Sequence, residues 1–287
     1  MAARGLREGA RFPVLSDGMG SMQGKRGLVI GVANEHSIAT AITQALKREG
    51  AHCLFTHLPG EKSERRTRRA LEESGLTDPW LMPLDAGSDE QLDAVFARVA
   101  SEFGTIDFLV HCIAYCDKEW LKEGKFTGTP RGVFTQACDL SAYTYVAMAQ
   151  RAAPLMTSGG AMVSLSYLGA ERAVAAYNVM GVAKAALEAS TRYLAADLGP
   201  KNIRVNSVSA GPVRTMSAMA VGGFNDILGW IERTAPLRRN ISAEEVGEAC
   251  LFLLSPLASG ITGQVVYVDG GYSCVGVPSG FGGGAAG

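Results

Sequence analysis

The sequence has no excess of charge of either sign. Its 287 residues include 27 Lys or Arg and 28 Asp or Glu, which gives a formal net charge of −1. Proteins that bind nucleic acids rely on clustered basic side chains that neutralise phosphates and release counterions. We therefore do not expect nucleic-acid binding as the main role of this chain.

Long apolar runs are also missing. The longest tight apolar cluster runs from Ala249 to Leu254, whereas a membrane-spanning helix needs about 20 apolar residues in succession. The basic N-terminal stretch does not contain an apolar core of the length that a secretory signal requires. The sequence therefore predicts no membrane insertion.

Cysteine and histidine are few and dispersed. The chain has six cysteines and four histidines. Cys112 and Cys116 have neither a second cysteine pair nor a histidine at zinc-site spacing. We therefore expect no metal site. Small disulfide scaffolds are much denser in cysteine, so we expect reduced thiols and a cytoplasmic location.

Composition divides the chain into three parts. Residues 1–23 are rich in Gly, Arg and Met and lack periodicity, which predicts a disordered extension, with a transit peptide as the alternative. Residues 275–287 form a Gly-rich stretch that predicts a flexible tail. The predicted folded domain therefore covers residues 24–274.

Short apolar segments alternate with helical patterns along this domain. The predicted strands are 28–32, 53–56, 80–84, 106–111, 161–166, 203–208 and 264–268, and the predicted helices are 37–49, 63–74, 89–103, 131–156, 177–198 and 243–254. Such alternation is typical of a parallel sheet with helices on both faces. We predict a single α/β domain with a Rossmann-like, doubly wound sheet of about seven strands.

The turn after the first strand is a candidate anion site. It contains one glycine, Gly31, and does not match the G-x-G-x-x-G pattern. Ser37 places a hydroxyl and a free backbone N–H at the start of the next helix, where anions bind favourably. Ser37 could equally be an ordinary helix cap, and the turn alone does not distinguish the two interpretations.

Tyr177, Met180, Gly181 and Lys184 have the spacing of one helical face. On a helix, Tyr177 and Lys184 would lie about 10 Å apart along the axis. A lysine on an otherwise apolar face is costly unless it is paired or binds a ligand. Tyr167 ends the fifth predicted strand. The alternative is that both tyrosines are core residues with hydroxyls at the rim.

These residues make the sequence similar to the short-chain dehydrogenase/reductases. Within them it resembles the FabI group, the enoyl-[acyl-carrier-protein] reductases of type II fatty acid biosynthesis. The resemblance covers about residues 24–274. It is carried by the Gly31-to-Ala39 turn, Leu165–Ala173, Tyr177–Gly181 with Lys184, Arg204–Asn206, Ser209–Thr215 and Val268–Gly271.

The resemblance implies roles for individual residues. The catalytic group would comprise Tyr177, Lys184 and Tyr167. Cofactor binding would fall on Gly31, Ser37, Ile38, Leu58, Asp85, Ala86, Ile113, Lys184, Val213, Arg214, Thr215, Met216 and Ser217. Substrate binding would fall on Tyr115, Cys116, Tyr167, Tyr177, Met180 and Phe224.

The activity that the resemblance implies is NADH-dependent reduction of the trans-2 double bond of enoyl thioesters on acyl carrier protein, by a homotetramer. One alternative is a 3-oxoacyl or other short-chain ketoreductase. Those enzymes have Tyr-x3-Lys, and Met180 stands where their tyrosine would be. Another is a non-catalytic nucleotide-binding regulator, which the intact Tyr167, Tyr177 and Lys184 argue against.

Two further expectations concern the cofactor and a loop. Leu58, at the end of the second strand, is neutral, and the family's NADPH users have basic residues there, so we expect NADH, with NADPH as the alternative. Lys62 and Arg65 follow on the next helix. Residues 214–235 combine Gly and Met with few charges, which predicts a lid that closes over an acyl chain, with an ordinary packed helix pair as the alternative.

Overall fold

Seven parallel strands form one sheet in the order β3-β2-β1-β4-β5-β6-β7. The computed structural model describes residues 20–216 and 218–277. The strands are β1 (Arg26–Ile30), β2 (His52–His57), β3 (Leu81–Pro83), β4 (Phe108–His111), β5 (Gly160–Ser166), β6 (Ile203–Ala210) and β7 (Val265–Val268). The predicted single-domain, doubly wound α/β fold is confirmed.

Helices cover both faces of this sheet. They are α1 (Ile38–Arg48), α2 (Glu61–Glu73), α3 (Asp89–Phe103), α4 (Arg131–Cys138), α5 (Thr144–Ala152), α6 (Val179–Leu198), α7 (Phe224–Thr234) and α8 (Ala243–Leu254). Helices α1, α2 and α8 pack on one face, and α3, α5 and α6 on the other. In the described ranges, no helix is long and apolar enough to cross a membrane.

The strands are apolar on both sides because both sides are buried. In β1, Leu28 and Ile30 face the core under α3, α5 and α6, while Val29 faces the core under α1, α2 and α8. The same alternation in β4 sends Leu109 to the first core and Val110 to the second. This explains why these strands appear in the sequence as continuous apolar runs.

The predicted helix over 131–156 is not continuous. A π-helical turn, Asp139–Tyr143, separates α4 from α5, and a 3-10 turn, Ala153–Leu155, ends the segment. Isolated π turns of this kind are common at functional sites. The apolar periodicity on either side does not reveal the extra residue in the turn.

The packed chain begins before the predicted domain boundary at residue 24. Met22 is 1% exposed and belongs to the core under α1 and α8. The Ser21 backbone N–H donates to the Glu49 carboxylate at 2.8 Å. The rest of the predicted extension, residues 1–19, and residues 278–287 of the predicted tail lie outside the described residues, as does Ser217.

Candidate active site

The predicted site residues lie along one edge of the sheet. All strands are parallel, so their carboxyl ends meet at that edge, where ligands bind in doubly wound folds. After β1 the chain adds strands toward one side of the sheet, and from β4 onward it adds strands toward the other side. The junction of β1 and β4 is therefore the topological switch point. The predicted residues that follow strand ends are Gly31, Leu58, Asp85, Ala86, Ile113, Tyr167 and Val213.

The turn after β1 depends on a glycine and a serine. Gly31 has φ +114°, and a Cβ there would lie 2.0 Å from the Cys112 carbonyl oxygen. The Ser37 hydroxyl accepts the backbone N–H groups of Ala33 at 3.2 Å and Asn34 at 3.0 Å. The Ser37 N–H itself donates to the Asn34 carbonyl. The predicted free N–H at Ser37 is therefore wrong, and its side chain does not cap α1 either.

Asn34 connects this turn to the stretch after β6. Its side chain is buried, its Oδ1 accepts the His36 N–H at 2.8 Å, and its Nδ2 lies 2.9 Å from the Met216 sulfur. The Val213-to-Met216 stretch therefore reaches the turn beside Gly31. The sequence gives no sign of this contact, because asparagine is ordinary in a turn.

Tyr177 lies in a turn just before α6, which begins at Val179. The predicted helix start at Tyr177 is therefore wrong. Ala176 and Asn178, on either side, have φ values of +63° and +47°, in the left-handed region. The bend brings the Tyr177 ring against that of Tyr167, edge to face, with the ring centres 4.8 Å apart.

Two glycines make this arrangement possible. A Cβ on Gly169 would lie 2.4 Å from Cδ1 of Tyr177, and a Cβ on Gly181 would lie 2.5 Å from the Gly169 carbonyl oxygen. The turn after β5 and the first turn of α6 therefore approach each other closely. This contact fixes where the Tyr177 ring lies.

We expect Gly169→Ala to cost more transition-state stabilisation, calculated from kcat/KM, than free energy of unfolding, because the new methyl group displaces the Tyr177 ring. Overpacking of this kind costs about 1–3 kcal/mol of unfolding free energy. Thermal melting and steady-state rates should be measured on one preparation. Gly199→Ala is the matched control, since no heavy atom lies within 4 Å of its added Cβ. Full activity in Gly169→Ala would contradict the packing argument.

Asn178 was not predicted as a site residue, yet it joins two segments. Its Nδ2 donates to the carbonyl oxygens of Trp120 at 2.7 Å and Lys122 at 2.8 Å. Between them, the Leu121 carbonyl accepts the N–H of Gly222, within the predicted lid segment. The start of α6, the loop after β4 and the 214–235 segment thus form one connected wall.

An apolar cluster lies behind this wall. Met180 is buried and packs with Leu121, Cys116, Tyr177 and other apolar residues that include Val179, Ala137 and Val221. Three of the predicted substrate residues, Cys116, Tyr177 and Met180, are therefore brought together. Phe224 is buried as the first residue of α7 but is not part of this cluster.

The π turn places Ser141 beside two predicted substrate residues. Ser141 is fully buried, its hydroxyl accepts the Tyr115 N–H at 3.1 Å, and it lies 3.9 Å from the Met180 sulfur. The Tyr115 side chain itself is 48% exposed. Sequence patterns do not reveal Ser141, since only the π turn directs it toward the site.

Lys184 is the buried cation of the site. It is 5% exposed, and its Nζ donates to the Leu165 carbonyl at 2.6 Å. Burial lowers the pKa of Lys184 to about 8, while Cys112 and Glu188 act in the opposite direction. At neutral pH the ammonium is therefore still protonated.

The Tyr177 hydroxyl is a neutral hydrogen-bond donor at any working pH. Burial, and then the neighbouring Tyr167, raise its pKa above the usual value for a phenol. Burial raises the pKa of Tyr167 as well. The pair can therefore donate hydrogen bonds to an oxygen that gains negative charge.

Comparison with known proteins identifies the family. The family model described as enoyl-(acyl carrier protein) reductase matches residues 31–273. This chain belongs to the enoyl-acyl carrier protein reductase family. Its seven-stranded Rossmann-like sheet is the short-chain dehydrogenase/reductase fold that the sequence resemblance implied.

Similar proteins align with most of this chain. Enoyl-[acyl-carrier-protein] reductase [NADH] FabI of Nostoc sp. is 47% identical over 259 residues, which cover 90% of this chain and 99% of that protein. The [NADPH] FabI of Staphylococcus aureus is 44% identical over 255 residues, 89% of this chain and 99% of that protein.

A solved structure shows the same fold. The crystal structure of the Bacillus cereus enoyl-acyl carrier protein reductase with NADP⁺ and indole naphthyridinone has a TM-score of 0.87 and 47% identity. The match covers 90% of this chain and 100% of that chain. Relatives named for NADH and for NADPH thus both occur in the family.

The remaining predicted cofactor residues lie in the segments that follow the strands along this edge. Leu58 is 66% exposed, and the backbone N–H of Asp85 donates to Gln91 Oε1 at 2.8 Å. Arg214 donates to the Asn225 side chain at 3.1 Å. Ile38 begins α1, Ala86 is buried, and Ile113 and Thr215 are half-buried. In the described part of the chain, no three His, Cys, Asp or Glu side chains could hold a metal ion.

Proposed function

We propose that this chain is an NADH-dependent enoyl-[acyl-carrier-protein] reductase of type II fatty acid biosynthesis. It would reduce the trans-2 double bond of enoyl thioesters to give acyl thioesters. The observation that carries the proposal is the packing of Tyr167 on Tyr177 above an apolar cluster, with buried Lys184 on the adjoining helix. Membership of the family supports the same reaction.

The carboxyl edge of the sheet fits a nicotinamide cofactor. Within the described ranges, the Lys184 ammonium has one hydrogen bond, to Leu165, which leaves N–H donors for the hydroxyls of a ribose. Gly31 and Ser37 would hold the cofactor at the turn after β1, with Leu58 and Asp85 at the ends of β2 and β3. When bound, NADH supplies the hydride that adds to C3 of the enoyl thioester.

The residues of the chain then act on the charge that develops. Negative charge grows on the thioester oxygen, and the Tyr177 hydroxyl donates a hydrogen bond to it. Lys184 holds the ribose hydroxyls and keeps the local potential positive. Met180 and Cys116 provide the apolar surface for the acyl chain, and C2 receives a proton to complete the reduction.

The arrangement disfavours a ketoreductase. A ketoreductase adds hydride to the carbon that bears the oxygen, and its tyrosine lies three residues after the position of Tyr177. Here that position is Met180, which is buried in the apolar cluster and has no hydroxyl. In an enoyl thioester the oxygen is three bonds from the hydride acceptor C3, two bonds further than in a ketone, which suits a tyrosine one turn further from Lys184.

A spectrophotometric assay tests the function. NADH and NADPH are each combined with a crotonyl thioester and with a 3-oxoacyl thioester, and the loss of reduced nicotinamide absorbance is followed. We expect turnover with the enoyl substrate and none with the 3-oxoacyl substrate. Turnover of the 3-oxoacyl substrate alone would support the ketoreductase, and no turnover with any pair would support the regulator.

We expect NADH to be preferred over NADPH. Exposed Leu58 offers no cation to a 2′-phosphate, and Arg68 and Arg69 on α2 are paired with Glu64 and Glu73. The ratio of kcat/KM for the two cofactors on one enoyl thioester is the measurement. A tenfold preference for NADPH, about 1.4 kcal/mol, would overturn this expectation and implicate Lys62 or Arg65.

The partner, the assembly and the location complete the proposal. The enoyl group would arrive on acyl carrier protein, and the chain would act as a homotetramer in the cytoplasm. All six cysteines are free, as expected in a reducing compartment. Light scattering at micromolar concentration should give the mass of four chains, and a single monomeric species would refute the tetramer.

A further inference from the structure

Helix α6 carries two buried charged side chains one turn apart. Lys184 and Glu188 are each 5% exposed, and charges are rarely buried without a partner. Both bind the end of β5, at successive residues. Lys184 Nζ donates to the Leu165 carbonyl at 2.6 Å, and the Ser166 hydroxyl donates to Glu188 Oε1 at 2.5 Å.

These bonds fix the distance between the two halves of the site. Tyr167 directly follows Ser166, whereas Tyr177 lies in the turn just before α6 and Lys184 lies on α6 itself. Any slip of β5 along α6 would move Tyr167 relative to the other two side chains. We propose that Glu188 is a positioning residue that holds the end of β5 through Ser166. Its carboxylate, four residues from Lys184 on the same helix, also favours the ammonium form of that lysine.

Among the titratable groups around Lys184, Glu188 is the one whose charge can stabilise the ammonium form. The titratable groups around Lys184 and Glu188 are His111, Cys112, Glu171, Tyr177, Arg192 and Tyr267. Burial lowers the pKa of His111 to about 3 and raises that of Cys112 to about 11, so both are neutral between those values. Burial raises the pKa of Glu188, and the hydrogen bond from Ser166 counteracts this shift. Of the two groups that raise the pKa of Lys184, Cys112 is neutral at pH 8, so the Glu188 carboxylate is the one that acts there.

Glu188→Gln removes the charge but keeps the size and an oxygen for Ser166. The affinity for NADH is measured by fluorescence titration without thioester, from about pH 6 to about pH 10. In the wild type we expect affinity to fall as pH rises through the pKa of Lys184, about 8. In Glu188→Gln we expect this midpoint to move about one unit toward acid, with unchanged affinity at the acid end.

Two further variants separate the effect of the Glu188 charge from the effect of its side-chain length. Glu188→Asp keeps the charge but is too short to hold Ser166. The midpoint of its NADH affinity against pH should therefore return toward that of the wild type, while its kcat falls. Glu171→Gln is the control, because the exposed Glu171 carboxylate faces Glu188 and is not among the groups that shift Lys184. Its midpoint should equal that of the wild type.

If Glu188 had only a structural role, the NADH affinity of Glu188→Gln would fall at every pH and its midpoint would stay in place. That result would overturn the proposal. If the Glu188 variants do not fold, Ser166→Ala is used, since it removes the bond and keeps the charge. We expect it to lower kcat with an unmoved midpoint, and an unchanged kcat would also overturn the proposal. The inference rests on the proposed function, but a wild type that binds NADH and fails to reduce enoyl thioesters would refute only the latter.

Discussion

Tyr177→Phe is expected to lower kcat for enoyl thioester reduction by about 100-fold or more. The substitution removes one hydroxyl and keeps the ring that packs on Tyr167. Loss of one hydrogen-bond donor to a developing oxyanion costs about 3 kcal/mol of transition-state stabilisation. Because the hydroxyl acts on the substrate oxygen, NADH affinity should stay the same. Stopped-flow or steady-state rates together with a cofactor titration check both expectations.

Tyr193→Phe is the matched control for that substitution. Tyr193 lies on the same helix, α6, but is 80% exposed. Its kcat should equal that of the wild type. A Tyr177→Phe variant with wild-type kcat would show that the hydroxyl makes no bond in the transition state, and the site assignment would fail.

Lys184→Met is expected to weaken NADH binding about 10- to 100-fold. Methionine occupies similar space but cannot donate to ribose hydroxyls, and a hydrogen bond to a charged group contributes about 1.5–3 kcal/mol. The affinity is measured by fluorescence or calorimetry in the absence of thioester. In the wild type this affinity should fall as pH rises through about 8, where the buried ammonium loses its proton. In Lys184→Met that pH dependence should disappear.

Unchanged NADH affinity in Lys184→Met would contradict the role given to the ammonium. The exposed Lys201, in the 3-10 turn that follows α6, offers the control. Lys201→Met removes the same charge without touching the carboxyl edge. Its NADH affinity should match the wild type across the whole pH range.

The sheet and its ligand edge could be predicted from the sequence because they depend on composition averaged over several residues. Each strand needs both faces apolar, so Leu28, Val29 and Ile30 form a visible run. Once the strands are parallel, the residues that follow them must meet at one edge. Topology therefore predicts that Gly31, Leu58 and Tyr167 lie at this edge, while their roles follow from the family resemblance.

The details that the sequence did not predict depend on single contacts. The start of α6 is set by left-handed residues around Tyr177, which a 3.6-residue periodicity cannot reveal. Ser37 folds its hydroxyl back onto the turn instead of leaving its N–H free. Ser141, Asn178 and Glu188 gain their contacts only when distant segments pack together.

The position of the transferred hydrogen tests the central claim most directly. NADH with deuterium at both C4 positions is incubated with crotonyl thioester, and the product is analysed by mass spectrometry and NMR. The account predicts a butyryl thioester with one deuterium, located at C3. Deuterium at C1 or C2, or oxidation of the cofactor without deuterated butyryl product, would contradict conjugate reduction at this site.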